Sequence, residues 1–216
     1  MGVPQVYRKT PEKAIVTFDF TQLATNRAVI LLSGFVSETS GGLNYHLTSD
    51  ETVYSSLIET TLVGTGPVTN LDFDLPEFNA PITINGDAIV SFTARGGAES
   101  GTTSNTSAVV TIRKWDGSTE TDLVAVTTPT IAATSSTSIN ELFTIPLTIP
   151  KTPFKKGETL RLTIVLTTTR TSGGNNVSQS LGHDPRNRDG TIIVPSTDDP
   201  DTITKLNFYA PFEIDI

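Results

Sequence analysis

Short segments in which every second side chain is apolar run through most of this sequence. In AIVTFDF at 14–20, Val16, Phe18 and Phe20 share one face of an extended chain, and the residues between them face the other way. The segment 142–149 repeats the pattern. A period of two is the repeat of a β strand, whereas a helix needs apolar residues three and four apart. This feature predicts an all-β chain.

The number and spacing of these segments favour a double-sheet sandwich. Turn-forming pairs such as Asn85-Gly86 and Asp116-Gly117 separate them, and we count roughly nine or ten strands with no secure helix. Asn85-Gly86 can form either a hairpin turn or a bulge within a longer strand. Long polar loops are predicted at 96–106 and 172–204. The predicted fold is an antiparallel double-sheet sandwich of jelly-roll type.

The 216 residues are assigned to one main domain. Residues 1–12 are polar and contain two prolines, which predicts an N-terminal arm. Residues 13–216 form the predicted sandwich. Within them, residues 13–64 can either belong to the sandwich or add strands to it as a separate subregion.

Composition excludes several classes of partner. The chain carries 15 Lys and Arg against 23 Asp and Glu, a formal charge of -8, which argues against nucleic acid because phosphate binding needs clustered cations. The longest apolar runs fall far short of the ~20 residues that cross a bilayer, so no membrane partner is expected. The N-terminus shows no apolar core of a signal peptide, so no Sec-type signal is expected. Cysteine is absent, and disulfides and thiolate chemistry are absent with it.

Four residues are candidates for binding a partner. Trp115 and Asp116 stand at a predicted hairpin turn, where an indole can stack on a ligand or cap the edge of the sandwich. His183 and Asp184 lie in a polar stretch that forms either a contact loop or a surface excursion rich in turns. His46 is interpreted as a half-exposed strand residue.

No motif predicts catalysis. A Gly-x-Ser-x-Gly element and a phosphate-binding glycine loop are both missing, and the EF-hand pattern fails around Asp189. An acidic segment can either bind a cation or form a solvated turn; it contains Asp198, Asp199 and Asp201. No metal or cofactor is assigned. The sequence therefore predicts that the chain is not an enzyme, with no catalytic residue. An enzyme would be indicated by His183, Asp184 and Asp189 converging in a concave pocket.

Three segments carry a resemblance to a known class of proteins: PITI at 81–84, IRKWDG at 112–117 and FKKGETLRL at 154–162. Together they resemble jelly-roll virion proteins of tailed phages, the decoration or cement proteins and minor capsid proteins of the head. The resemblance spans most of the chain from about residue 65. It lies in the general character of the sequence and in the order of the strands.

This resemblance implies a structural role in a virion. The chain would bind the major capsid protein, stabilise the shell and form a homo-oligomer, with a trimer favoured. It would be made in the host cytoplasm and end on the particle. The alternative is a carbohydrate- or receptor-binding sandwich module, such as a fibre or tail component, that uses Trp115 and the long loops.

Overall fold

The computed structural model describes residues 27–193 and 203–213. The regular elements in these two ranges are all β strands, in agreement with the all-β prediction. They are β1 (Arg27–Thr39), β2 (Gly42–Thr48), β3 (Glu59–Gly64), β4 (Val68–Asp74), β5 (Ile82–Ala98), β6 (Thr103–Trp115), β7 (Glu120–Thr127), β8 (Ile131–Ala133), β9 (Ser138–Phe154), β10 (Thr159–Ser172), β11 (Val177–Gly182) and β12 (Leu206–Glu213). The predicted arm at 1–12 lies outside the described residues.

The described strands number twelve rather than nine or ten. Asn85-Gly86 forms a bulge, because β5 continues through it with a register shift against β9 between Ile84 and Gly86. The predicted loop at 96–106 shrinks to a short connection between β5 and β6, and the loop at 172–204 contains β11. The sequence of β11, VSQSLG, is too polar to be recognised as a strand, yet it is buried between β5 and β3.

Hydrogen bonds join the strands in the order β3-β11-β5-β12-β1-β2-β4-β10-β6-β7. In addition, β9 pairs with β5 and β8 pairs with β6. Every pairing is antiparallel except that of β2 with β4, where His46 stands opposite Asp74. Buried residues of β5, β9 and β12 share one cluster with buried residues of β4, β6 and β10. This arrangement is compatible with the predicted sandwich.

Alternation along the strands builds this shared core. On β10, Leu160, Leu162, Ile164 and Leu166 are all buried, and Phe92 of β5 is completely enclosed. A fully buried Leu, Ile or Phe side chain stabilises the fold by about 1.5–3 kcal/mol. The opposite faces of the same strands carry the polar and charged residues from which candidate sites can be built.

The connection between β10 and β11 requires glycine at one position. Gly173 has φ of +83°, and a Cβ there would lie 2.2 Å from the carbonyl oxygen of Gly101. We expect Gly173→Ala to lower the free energy of unfolding by about 1–3 kcal/mol, because both the backbone and its neighbour must shift. Gly174→Ala is the control, since no atom lies within 4 Å of its Cβ position. Equal urea midpoints for the two variants would contradict this prediction.

Candidate functional site

The loop after β11 holds an ion pair between the buried Asp184 and the half-buried Arg188. Asp184 is fully buried, and Arg188 donates to it from Nη2 at 2.8 Å and from Nε at 3.1 Å. The backbone N–H of Arg188 donates to the same carboxylate at 2.7 Å. Hydrogen bonding to Asp184 raises the pKa of the Arg188 guanidinium, because the carboxylate stabilises its charged form.

Arg188 also connects this loop to the segment before β3. Its Nη2 donates to the carbonyl oxygen of Ser55 at 2.6 Å, and its guanidinium carbon lies 3.9 Å from the centre of the Tyr54 ring. The Tyr54 side chain is exposed, and Arg186 lies 5.8 Å from the same ring. Such stacking of a guanidinium on an aromatic ring is a cation–π interaction.

A groove of about 550 Å³ borders this ion pair, and Tyr54, Glu59 and Asp189 are among its lining residues. The Glu59 carboxylate accepts the backbone N–H groups of Thr191 at 3.0 Å and Ile193 at 2.8 Å. Glu59 therefore fixes the loop that forms one wall of the groove.

His183 lies deep inside the protein rather than in this groove. It is fully buried, its Nε2 is 2.8 Å from Thr60 Oγ1, and its Nδ1 has no hydrogen-bond partner among the described residues. Burial lowers the pKa of His183 to about 4, an effect larger than the opposing charge of Asp184. Asp189 lines the groove while His183 and Asp184 are enclosed behind it, so the three do not converge in one pocket.

Trp115 and Asp116 lie elsewhere, at the end of β6. The guanidinium carbon of Arg161 is 4.8 Å from the centre of the Trp115 ring, which is half-buried. Asp116 accepts the backbone N–H groups of Thr119 at 2.7 Å and Ser118 at 2.9 Å, and these bonds lower the pKa of its carboxyl group. The four residues predicted to bind a partner thus occupy two separate places, and their binding role stays a prediction.

A row of oppositely charged side chains crosses the outer face of β4, β10, β6 and β7. Arg161 donates to Asp74 from Nε at 2.6 Å and from Nη2 at 2.8 Å, and it also pairs with Glu120. These contacts, led by the bonds to Asp74, raise the pKa of Arg161. Arg113 pairs with Glu120 at 3.0 Å and with Asp122 at 2.6 Å. The carboxylate of Asp74 is therefore occupied by Arg161.

Sequence reasoning missed a contact between Ser37 and His46. Ser37 Oγ lies 2.8 Å from His46 Nε2, and both residues are half-buried. In the ladder between β1 and β2, His46 faces Phe35 and Ser37 faces Asn44, so Ser37 and His46 are diagonal neighbours on one face. This contact depends on strand register, which the sequence pattern alone did not provide.

His46 lines a second groove, of about 320 Å³. Asn44, Asp72, Asp74 and Arg161 are among its other lining residues. The ring of Phe35 lies 5.0 Å from the His46 ring, centre to centre, and restricts its orientation. A serine hydroxyl hydrogen-bonded to an accessible imidazole is the arrangement of a nucleophile and its base.

Across residues 27–193 and 203–213, no three His, Asp, Glu or Cys side chains come together as metal ligands would. Asp198, Asp199 and Asp201 lie outside these ranges. Nothing in the described ranges forms a helix with the length and hydropathy needed to cross a bilayer.

No protein-family model matches the sequence, and no curated protein matches it. Among solved structures, an α-amino acid ester hydrolase matches with a TM-score of 0.51 and 13% sequence identity, over 85% of this chain and 36% of that chain. An aminopeptidase from a marine sediment Thaumarchaeota archaeon matches with a TM-score of 0.49 and 9% identity, over 88% and 37%. An infectious bursal disease virus structure, Gx strain, matches with a TM-score of 0.36 and 9% identity, over 88% and 37%.

These comparisons correct the function predicted from the sequence. The ester hydrolase has the same fold over most of this chain, although the chain spans only about a third of that enzyme's length. The prediction of a structural virion protein, with a binding module as its alternative and no enzymatic activity, is therefore contradicted. Virus particle chains are structural neighbours only at low identity. The homo-oligomer, the capsid partner and the virion location that accompanied that role stay predictions.

Proposed function

We propose that this chain is a hydrolase domain that acts on carboxylic esters. The observation that carries the proposal is the likeness of its fold to an α-amino acid ester hydrolase over 85% of its length. The two grooves described above, of about 550 and 320 Å³, are large enough for a small ester, since ligand sites are generally of about 300–1,000 Å³. The sandwich of this domain is proposed to be of jelly-roll type.

The grooves offer the polar groups that a small ester requires. Arg188 and Tyr54 stand at the larger groove, and Asn44 and His46 line the smaller one. Ester hydrolysis needs donors near the carbonyl oxygen, a nucleophile and a group that accepts the proton of that nucleophile. Imidazole and amide side chains beside one groove are suited to these tasks.

The proposal is tested by following acid release from methyl esters of acetate, butyrate and phenylalanine in the presence of the purified chain. We expect a rate that is proportional to protein concentration and saturates with substrate. The chain contains 2 histidines, so the matched control is free imidazole at twice the protein concentration. A rate no higher than that of this control, for all three esters, would contradict the proposed function.

A further inference from the structure

We propose that Ser37 and His46 are the catalytic pair of this domain, with Ser37 as the nucleophile and His46 as the base that accepts its proton. The inference rests on the proposed ester hydrolase function and names the residues that perform it. The reaction class is acyl transfer from a carboxylic ester to Ser37 and then to water.

The first support is geometric. The 2.8 Å separation of Ser37 Oγ and His46 Nε2 is within the range of about 2.6–3.2 Å that proton transfer between a nucleophile and its base requires. The register of β1 and β2 fixes this separation, because antiparallel pairing runs without interruption from Ser33 to Thr39. The Phe35 ring packs against the His46 ring, with their centres 5.0 Å apart.

Accessibility separates this pair from the other histidine–hydroxyl pair. Thr60 and His183 are also 2.8 Å apart, but His183 is fully buried and cannot meet a substrate. Burial also makes His183 a poor base, since its pKa falls to about 4. His46 is half-buried and lines a groove, and Ser37 is half-buried beside it, so this pair, unlike Thr60 and His183, is partly exposed to solvent.

The reaction balances with these two residues and water. Ser37 Oγ bonds to the ester carbonyl carbon while its proton passes to His46 Nε2. The bond from that carbon to the alkoxy oxygen then breaks, and the alcohol leaves with the proton from His46. Water attacks acyl-Ser37, giving one proton to His46, and the bond from carbon to Oγ breaks as that proton returns to Ser37. Ester and water become acid and alcohol, and both residues are restored.

Asn44 is suited to stabilise the negative oxygen that forms in each attack. It faces Ser37 in the ladder and lines the groove beside His46. Its side-chain amide donates to Thr39 Oγ1 at 3.2 Å on the exposed surface, where it can turn toward a substrate. Amide donors of this kind form oxyanion holes in other hydrolases.

Among residues 27–193 and 203–213, no free acid orients the base of this pair. Asp74 stands opposite His46 in the sheet, but Arg161 holds its carboxylate with bonds of 2.6 and 2.8 Å. In serine proteases, making the orienting acid ineffective lowers kcat by about 10⁴. We therefore expect slow turnover, so that covalent labelling of Ser37 is a more sensitive test than steady-state activity.

The test is labelling of the full chain with a fluorophosphonate, which reacts with activated serines, followed by peptide mass mapping. We expect one phosphonyl group on Ser37, none in Ser37→Ala, and a labelling rate lowered by at least about 100-fold in His46→Gln. Ser49→Ala, an exposed serine just after the same hairpin, should label as the parent does. Ester hydrolysis should change in parallel.

A thiol probe keeps the inference testable if the alanine variant does not fold. The chain has no cysteine, so Ser37→Cys and Ser49→Cys each introduce a single thiol. Beside a histidine a thiol ionises more readily, so we expect iodoacetamide to alkylate the Ser37→Cys protein at least about 10-fold faster than the Ser49→Cys protein. Adding His46→Gln should remove the difference.

The outcomes separate this inference from the proposed function. Ester hydrolysis that persists in Ser37→Ala, with no label on Ser37, would overturn the catalytic pair and leave the hydrolase function standing. Labelling of Ser37 that depends on His46, without hydrolysis of any ester, would support the activated serine and overturn the hydrolase function. Absence of labelling, hydrolysis and enhanced thiol reactivity would overturn both.

Discussion

Replacement of Arg188 by methionine is expected to lower the free energy of unfolding by about 3–5 kcal/mol. Asp184 is fully buried, and Arg188 supplies three of its charged hydrogen bonds together with a bond to the Ser55 carbonyl. Without Arg188, a buried carboxylate must either keep an uncompensated charge or take up a proton. Urea unfolding at pH 7 measures the effect.

The double variant Asp184→Asn with Arg188→Met is the control for this prediction. Because it removes both charges, it should recover part of the lost stability, and the two substitutions should be strongly non-additive. An Arg188→Met protein within about 0.5 kcal/mol of the parent would mean that the pair does not stabilise this loop.

Acidification is expected to destabilise the protein through His183. In the folded protein the pKa of His183 falls to about 4 because the ring is buried, whereas an unfolded histidine keeps its usual value of 6.5. Above pH 6.5 both states are neutral, so the residue contributes no pH dependence. As the pH falls from 6.5 to 4, only the unfolded state takes up the proton, and the free energy of unfolding falls by up to about 3 kcal/mol.

The measurement is urea unfolding of the parent and of His183→Gln at several pH values between 7 and 4. Carboxylates titrate in both proteins, so the difference between the two curves isolates the histidine. The parent should lose stability relative to His183→Gln as the pH falls through this window. A difference that stays constant with pH would show that His183 titrates normally in the folded protein.

The sequence pattern was sufficient to predict the strands that have one apolar face. Alternation at 142–149 predicted part of β9, because a period of two leaves a single way to bury the apolar residues. The other alternating segment, at 14–20, lies outside the described residues. β11 was missed because its inward positions include Gln179, which is fully buried. Its amide donates to Thr69 at 2.7 Å and to the Leu166 carbonyl at 3.0 Å, so tertiary hydrogen bonds make burial possible.

The candidate sites were less predictable because they too depend on tertiary contacts between residues far apart in the sequence. His183 and Asp184 were candidates for binding a partner, but a polar stretch rich in turns gives no indication that both are fully buried. Their burial depends on Arg188 and Thr60, of which Thr60 lies 123 positions away in the chain. Ser37 and His46 were not connected at all, because their contact requires the register of β1 against β2.

The central claim is that this chain hydrolyses esters through Ser37. Pre-steady-state hydrolysis of p-nitrophenyl acetate tests this claim most directly. Acylation that is faster than deacylation should release a burst of about one p-nitrophenolate per chain before a slower linear phase. The burst should be absent from Ser37→Ala and unchanged in Ser49→Ala. Release that is linear from the start, at the same rate in the parent and in Ser37→Ala, would contradict the claim.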